Sequence, residues 1–404
     1  MKRHLPHPRL LFLIGISAAA CDKSSIVQPA PRVPVTAAHT VIQSTPLNVA
    51  DVEQLYAAVN DPSNAGVAIV LAPGTYVLSA TKAGVARPNG GRLELQPDMS
   101  LSGVTGDRSA VVIDFSSLPT ASFNVALGRT SAIRVGRGAN AVQWLTILGN
   151  PISAAGVETD LADANPTQVT LAHLAAHGNI RGVDVRNTGV AMNDRRIVAR
   201  IEDNEFFGNT EGIRALNSAG TIGGDIDVTM SGNRVHDNVN GCIMEHNRAS
   251  SGSIRVRSSG DRFEHNGLGC LIGGGLVAGS GGAANSNSTT FEGHGDAFTD
   301  NTLVSPNSID VGGLVVIGAE TPNAPNSASH NTVTVALWGT KVSGNQKGDF
   351  QAFGARSVTS PPATSGIDNH AIIELYGVSK QIDVDAVNSF PVDPTGTNTI
   401  TIIR

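Results

Sequence analysis

From Gly66 to Ile403, apolar and polar residues alternate in short runs separated by Gly, Asn and Asp. This period of two predicts a long succession of short β-strands. One stretch departs from it. Val52, Leu55, Tyr56, Ala58 and Val59 recur at helical spacing, with Asp51 and Glu53 in the first turn where the helix dipole favours acids, so one short amphipathic helix is expected. A pair of short strands broken at Pro73-Gly74 follows, and no second helix is predicted downstream. A lone helix ahead of hundreds of residues of strand is placed to close the open end of a solenoid, whose terminal strands otherwise leave their backbone groups unpaired.

Self-similarity supports a solenoid. The segments beginning at Leu174, Asn204, Asn233 and Asp261 align without gaps and end on Gly182, Gly212, Gly241 and Gly269, in steps of 30, 29 and 28 residues; a looser copy runs from Thr340 to Gly348. A step of this size without helical period or a leucine-rich pattern fits one coil of a parallel β-helix. About 12 coils are expected, with strands about 4.8 Å apart. The alignment sorts residues into columns. Asn179, Asn209, Asn238, Asn266, Asn301 and Asn345 share one, which predicts a ladder of side-chain amides at a turn. After the common Gly, Val183, Val185, Ile213, Ala215, Cys242, Met244, Cys270 and Ile272 should face inward, and Asp184, Arg186, Arg214 and Glu245 outward. Cys242 and Cys270 should therefore touch between adjacent coils, within reach of a disulfide that export would permit; strand geometry often opposes the bond, so two stacked thiols are expected ahead of a bridge.

Composition fits this reading. The chain has 404 residues with 45 Gly, only 15% charged and 4% aromatic residues, so it is neither a disordered polyelectrolyte nor a helical bundle. A net charge of −6 argues against a nucleic-acid protein, which needs a basic surface. Few Trp and Tyr leave few stacking platforms for sugar rings.

The opening "DVEQLYAAVN…IVLAPGTYVL" and the recurring Asn-x-Φ-x-x-Asn-x-x-Gly-Φ-x-Φ pattern (Φ apolar) resemble those of the right-handed parallel β-helix, or pectate-lyase-like, superfamily of exported bacterial proteins. The resemblance covers residues 48–404 and implies an all-β fold, a single right-handed parallel β-helix with a short N-terminal capping helix. It specifies fold far more than chemistry. Residues 1–20 read as an export signal: Lys2, Arg3 and Arg9, an apolar run from Leu10 to Ile16, then Ser17 to Ala20. The junction with Cys21 resembles the lipobox of bacterial lipoproteins, which implies lipidation at Cys21; Ala18-Ala19-Ala20 would equally serve simple secretion. Residues 21–47, rich in Pro, read as a tether, so membrane contact is expected only through an N-terminal lipid anchor. A monomer is expected.

Candidate chemistry converges on the outward stripe. Asp184, Arg186, Arg214 and Glu245 occupy three successive coils with His246 at the edge, and the insertions 187–195, 217–225, 273–290, 319–331 and 355–369 all begin just past this strand, where stacked loops would wall a groove. If the protein acts on a glycan, Asp184 would hold a guanidinium or a cation, Arg186 and Arg214 would grip a carboxylate, and Glu245 would orient His246 as a base. A salt-bridged surface accounts for the same charges. A second patch, His236, Asp237, Glu264 and His265, carries donor types suited to a divalent metal such as calcium, or equally a polar turn. Gly293-His294-Gly295 resembles an element of polygalacturonase-type hydrolases, but their Asn-Thr-Asp, Asp-Asp and Arg-Ile-Lys elements are absent, as is the Asp-Pro-His of alginate epimerases. Three functions stay open: a cell-envelope protein that binds a polysaccharide without catalysis, a lyase or epimerase acting on an acidic polysaccharide, and a glycoside hydrolase using Asp184 and Glu245.

Overall fold

The computed structural model describes residues 45–123, 130–135, 137–150, 154–159, 167–187, 196–218, 221–277, 282–302, 312–320, 327–346, 349–356, 368–378, 384–390 and 398–404. Three long parallel sheets of 12, 9 and 10 strands run through them, and the chain visits the sheets in turn, once per coil. This is a parallel β-helix, and the 12 strands of the first sheet agree with the coil number read from the repeat. Neighbouring strands keep register for long distances: Ile197, Ile226 and Ile254 are successive partners in the first sheet, and Phe206, Val235, Phe263 and Phe298 in the second. Like side chains thus stack on like, and one continuous core fills the interior.

The predicted helix is Val52–Asn60. Asp51 caps it by accepting from the Gln54 backbone N–H, and its apolar face (Leu55, Tyr56, Ala58, Val59) joins the core at the end of the coils. The Tyr56 hydroxyl donates to the Gly91 carbonyl at 2.6 Å, which ties the helix to the first coils.

Buried amide ladders hold the corners. Asn179, Asn209, Asn238, Asn266, Asn301 and Asn345 donate from Nδ2 to the next Oδ1 at 2.8–3.1 Å, as the sequence predicted. A second ladder, Asn204–Asn233–Asp261–Asp296, lies at the corner between the first and second sheets. A third, Asn287–Asn331–Asn369–Asn398, precedes the first sheet. Each ladder satisfies turn backbone groups that the sheets leave behind.

Two expectations change. Cys242 and Cys270 are register partners 4.5 Å apart at Cα, and they form a disulfide rather than stacked thiols. Where loops alone were expected, parts of the insertions at 273–290 and 319–331 form strands: Ala283–Asn285 pairs in parallel with Ser327–Ser329 over a small separate core of Val277, Ala284, Ala319, Ala328 and Ala355. Alanine lets these extra strands sit close together. Residues 1–44, including Cys21, lie outside the described residues. Among the described residues no helix is long and apolar enough to cross a membrane.

Candidate functional site

The third sheet carries the candidate stripe on strands Ala155–Glu158, Arg181–Asn187, Glu211–Asn217 and Asn240–His246. Its alternation is as the sequence predicted. Val183, Val185, Ile213, Ala215, Cys242, Met244, Cys270 and Ile272 all lie in the core, and one outward row runs Glu158, Asp184, Arg214, Ile243, Leu271.

Outward does not mean exposed here. Asp184 is fully buried and Arg186 and Arg214 are only 7% and 8% exposed, which corrects the expectation that the stripe offers its charges to solvent. The physical reason is mutual satisfaction, because a buried charge persists only when it is paired. Arg214 donates from Nε and Nη2 to the two Asp184 oxygens at 3.0 and 2.8 Å, a bidentate pair, while Arg186 bonds the same carboxylate. Arg181 reaches Glu211 at 2.8 Å and Asp184 at 3.8 Å. Arg186 also lies 3.6 Å from Glu158, whose oxygens accept from the Thr130 hydroxyl and backbone N–H. Burial pushes the Asp184 carboxyl up, but the guanidinium of Arg214, then those of Arg186 and Arg181, outweigh it and hold the group far below the ordinary carboxylate range. Arg181, Arg186 and Arg214 thus balance Asp184, Glu211 and Glu158 in charge.

His246 is corrected more sharply. It is fully buried and stands in the column of Asn187 and Asn217, where Asn187 Nδ2 donates to Asn217 Oδ1 at 2.9 Å, and forms the next rung of this fourth, short ladder. Asn217 Nδ2 faces Nδ1 at 3.2 Å, and Nε2 faces the Ser288 carbonyl at 3.2 Å. An amide donor at Nδ1 and a carbonyl at Nε2 assign the neutral tautomer with the proton on Nε2. Burial lowers its pKa to about 4. Both nitrogens are spent inside the wall, so His246 cannot take a proton from a bound molecule. Glu245, on the other face of the same strand, is half-buried.

Beyond the charged network the same face turns apolar and opens into a cavity of about 190 Å³ lined by Ile243, Leu268, Leu271 and Ile317, with Asn240, Glu245 and Glu320 supplying polar groups. Glu320 follows the third-sheet strand Gly312–Ile317, where an isolated parallel bridge pairs it with Leu276. Sequence reasoning missed Glu320, because it lies inside an insertion with no repeat partner. It also missed Glu158, because Asn150 and Gly156 are six residues apart where later coils have three, and the ungapped alignment stopped one coil short.

The second patch does not gather into a metal centre. His236 stacks on Phe207 at 5.3 Å and is held between Asp237 at 2.7 Å and Glu205 at 3.1 Å, while Glu264 turns to Arg234 at 2.7 Å. His265 projects from the corner and is exposed. The carboxylates are drawn to the guanidinium instead of converging, and among the described residues no group of three or more His, Cys, Asp or Glu side chains could hold a metal ion.

No protein-family model matches the chain, and no curated protein matches it. Solved structures do. The A-module of the Azotobacter vinelandii mannuronan C-5 epimerase AlgE4 is 14% identical with a TM-score of 0.41, covering 84% of this chain and 96% of that one. Pectate lyase Pel9A is 14% identical with a TM-score of 0.35, covering 89% and 83%. The A-module of the epimerase AlgE6 is 15% identical with a TM-score of 0.32, covering 87% and 93%. These likenesses concern the fold.

Proposed function

We propose that the protein is an exported cell-envelope β-helix, anchored through Cys21, that binds a polysaccharide at the outer face of its third sheet. One observation carries the site: the cavity bordered by Glu245 and Glu320 opens on the face beyond whose strands the insertions begin. A concave, mostly apolar surface with a few polar groups suits a sugar ring, which presents C–H faces and hydroxyl edges. Binding without catalysis is the favoured reading, because His246, the base expected for β-elimination or epimerisation at the stripe, is closed inside the wall.

The test is a binding screen of the purified full-length protein against neutral and uronic-acid polysaccharides, run alongside absorbance for unsaturated ends and a reducing-sugar assay. Saturable binding that Ile243→Arg abolishes, with no turnover, is the expected result. Unsaturated products would replace this reading with a lyase, and no binding to any member would refute it. Localisation has its own check, since Cys21→Ser should release the protein from membranes.

A further inference from the structure

The third sheet leaves Gly293-His294-Gly295 unused, yet the structure gives His294 a distinctive place. It ends the first-sheet strand Ser288–His294, and its register partners on the next two coils are Trp338 and Tyr376. The three rings stack: His294 lies 4.5 Å from Trp338 with planes 5° apart, and Trp338 lies 5.4 Å from Tyr376 with planes 14° apart. On the preceding side the row changes abruptly, because the partner of His294 there is Ser259 and the partner of Ser259 is Ser231. Trp338 therefore covers one face of the imidazole, while the other looks over a ledge of small residues. His294, Ser259 and the adjoining Gly260 are all exposed, and a Cβ added at Gly260 would meet nothing within 4 Å.

We infer that the free face of His294 is a stacking platform for a neutral pyranose residue of the bound polysaccharide, a contact separate from the third-sheet cavity. The inference rests on the glycan-binding reading above. A flat ring with an exposed π face matches the C–H face of a pyranose, and the rings behind it fix its orientation in advance, so little freedom is lost on binding. Beside the ledge, Arg257 and Glu292 lie 3.6 Å apart, in the strand positions two residues before Ser259 and His294. Paired, they neutralise each other and give a polyanion no attraction, but they supply a donor and acceptors for sugar hydroxyls. The ledge thus selects a neutral sugar.

Both tryptophans of the chain lie in ring stacks, Trp338 here and Trp144 against His173, so Trp144→Phe isolates the signal of Trp338. In that background, cellohexaose, laminarihexaose, xylohexaose and chitohexaose are titrated while Trp338 emission is followed. At least one should give a saturable change. His294→Ala should weaken it about tenfold, and Ser259→Leu, which fills the ledge at an exposed position without adding a tryptophan, should abolish it. Ile243→Arg in the cavity should leave the platform signal in place. Equal affinity in the Trp144→Phe protein with and without His294→Ala or Ser259→Leu would overturn the platform while leaving the cavity reading standing. Failure of all four hexasaccharides to change the emission would overturn the platform as well, whereas the polysaccharide screen alone decides the cavity.

Discussion

Replacing Asp296 with Asn should stabilise the protein above neutral pH. Asp296 is the last rung of the Asn204–Asn233–Asp261–Asp296 ladder; its Oδ1 accepts from the Asp261 backbone N–H at 2.8 Å, while its Oδ2 has no hydrogen-bond partner and is buried. Asp261 is better served, with Oδ1 accepting from Asn233 and Oδ2 from Ser258. Burial, and then the neighbouring Asp261 carboxylate, push the Asp296 pKa up to about 7. Below the unfolded value of about 3.9 both states hold the proton, and stability is complete. Between that value and 7 only the folded chain binds it, so stability falls as pH rises and levels off above 7. The gap between the unfolded and folded values corresponds to about 4 kcal/mol. Asn keeps the shape and the acceptor of the protonated acid without an ionisation to suppress. The variant should therefore match wild type near pH 4 and exceed it by up to about 4 kcal/mol at pH 8. Urea unfolding followed by circular dichroism at pH 4, 6 and 8 measures the difference. A midpoint at pH 8 equal to or below wild type would refute the argument, as would a variant that keeps the wild-type dependence on pH.

His246 should act in the opposite sense: with a folded pKa of about 4 against about 6.5 unfolded, its contribution is complete above 6.5 and lost on acidification towards 4, by about 3 kcal/mol, and His246→Asn should flatten that limb of the urea profile. Arg214→Ala should cost about 3–5 kcal/mol in the same assay, because it strips the buried Asp184 of its bidentate partner; a change below 1 kcal/mol would mean that the site is open to water. Ala at both Cys242 and Cys270 should cost at least about 3.5 kcal/mol under oxidising conditions by releasing a 28-residue loop, and reductant should remove that part of the difference, leaving only the lost packing of two buried sulfurs.

The frame was legible because a solenoid writes its geometry into the chain as a period. The step from Gly182 to Gly212 set the coil, and the alternation after it placed Val183 and Cys242 inside. The Asn179 ladder was visible since six rungs share one letter. The second ladder was half visible: Asn204, Asn233 and Asp261 open the aligned segments, but a mixed column of amide and acid reads as a turn preference until hydrogen bonds connect it. His246 was misread for a related reason. Sequence shows that a residue falls at the end of an outward strand, and there the chain turns back into the wall, so a ladder position and a surface position carry the same pattern. Burial of Asp184, Arg186 and Arg214 was hidden as well, since alternation separates core from exterior but is silent about what covers the exterior.

The alanine-lined strands at the third corner have a consequence for how the molecule can vary. The step between equivalent core residues is 28 from Cys242 to Cys270 and 44 from Cys270 to Leu314, yet the third sheet passes across both without losing register. Seven of the sixteen added residues precede the next first-sheet strand, in the segment that builds its own thin column at the rim on residues as small as Ala284 and Ala328; the other nine lie between Phe298 and Leu314. Chain length is thereby decoupled from core geometry. Segments beyond this corner can be lengthened, shortened or exchanged between coils while the sheets behind them stay as they are, which makes the rim the place where a new specificity can be grafted without redesigning the rod.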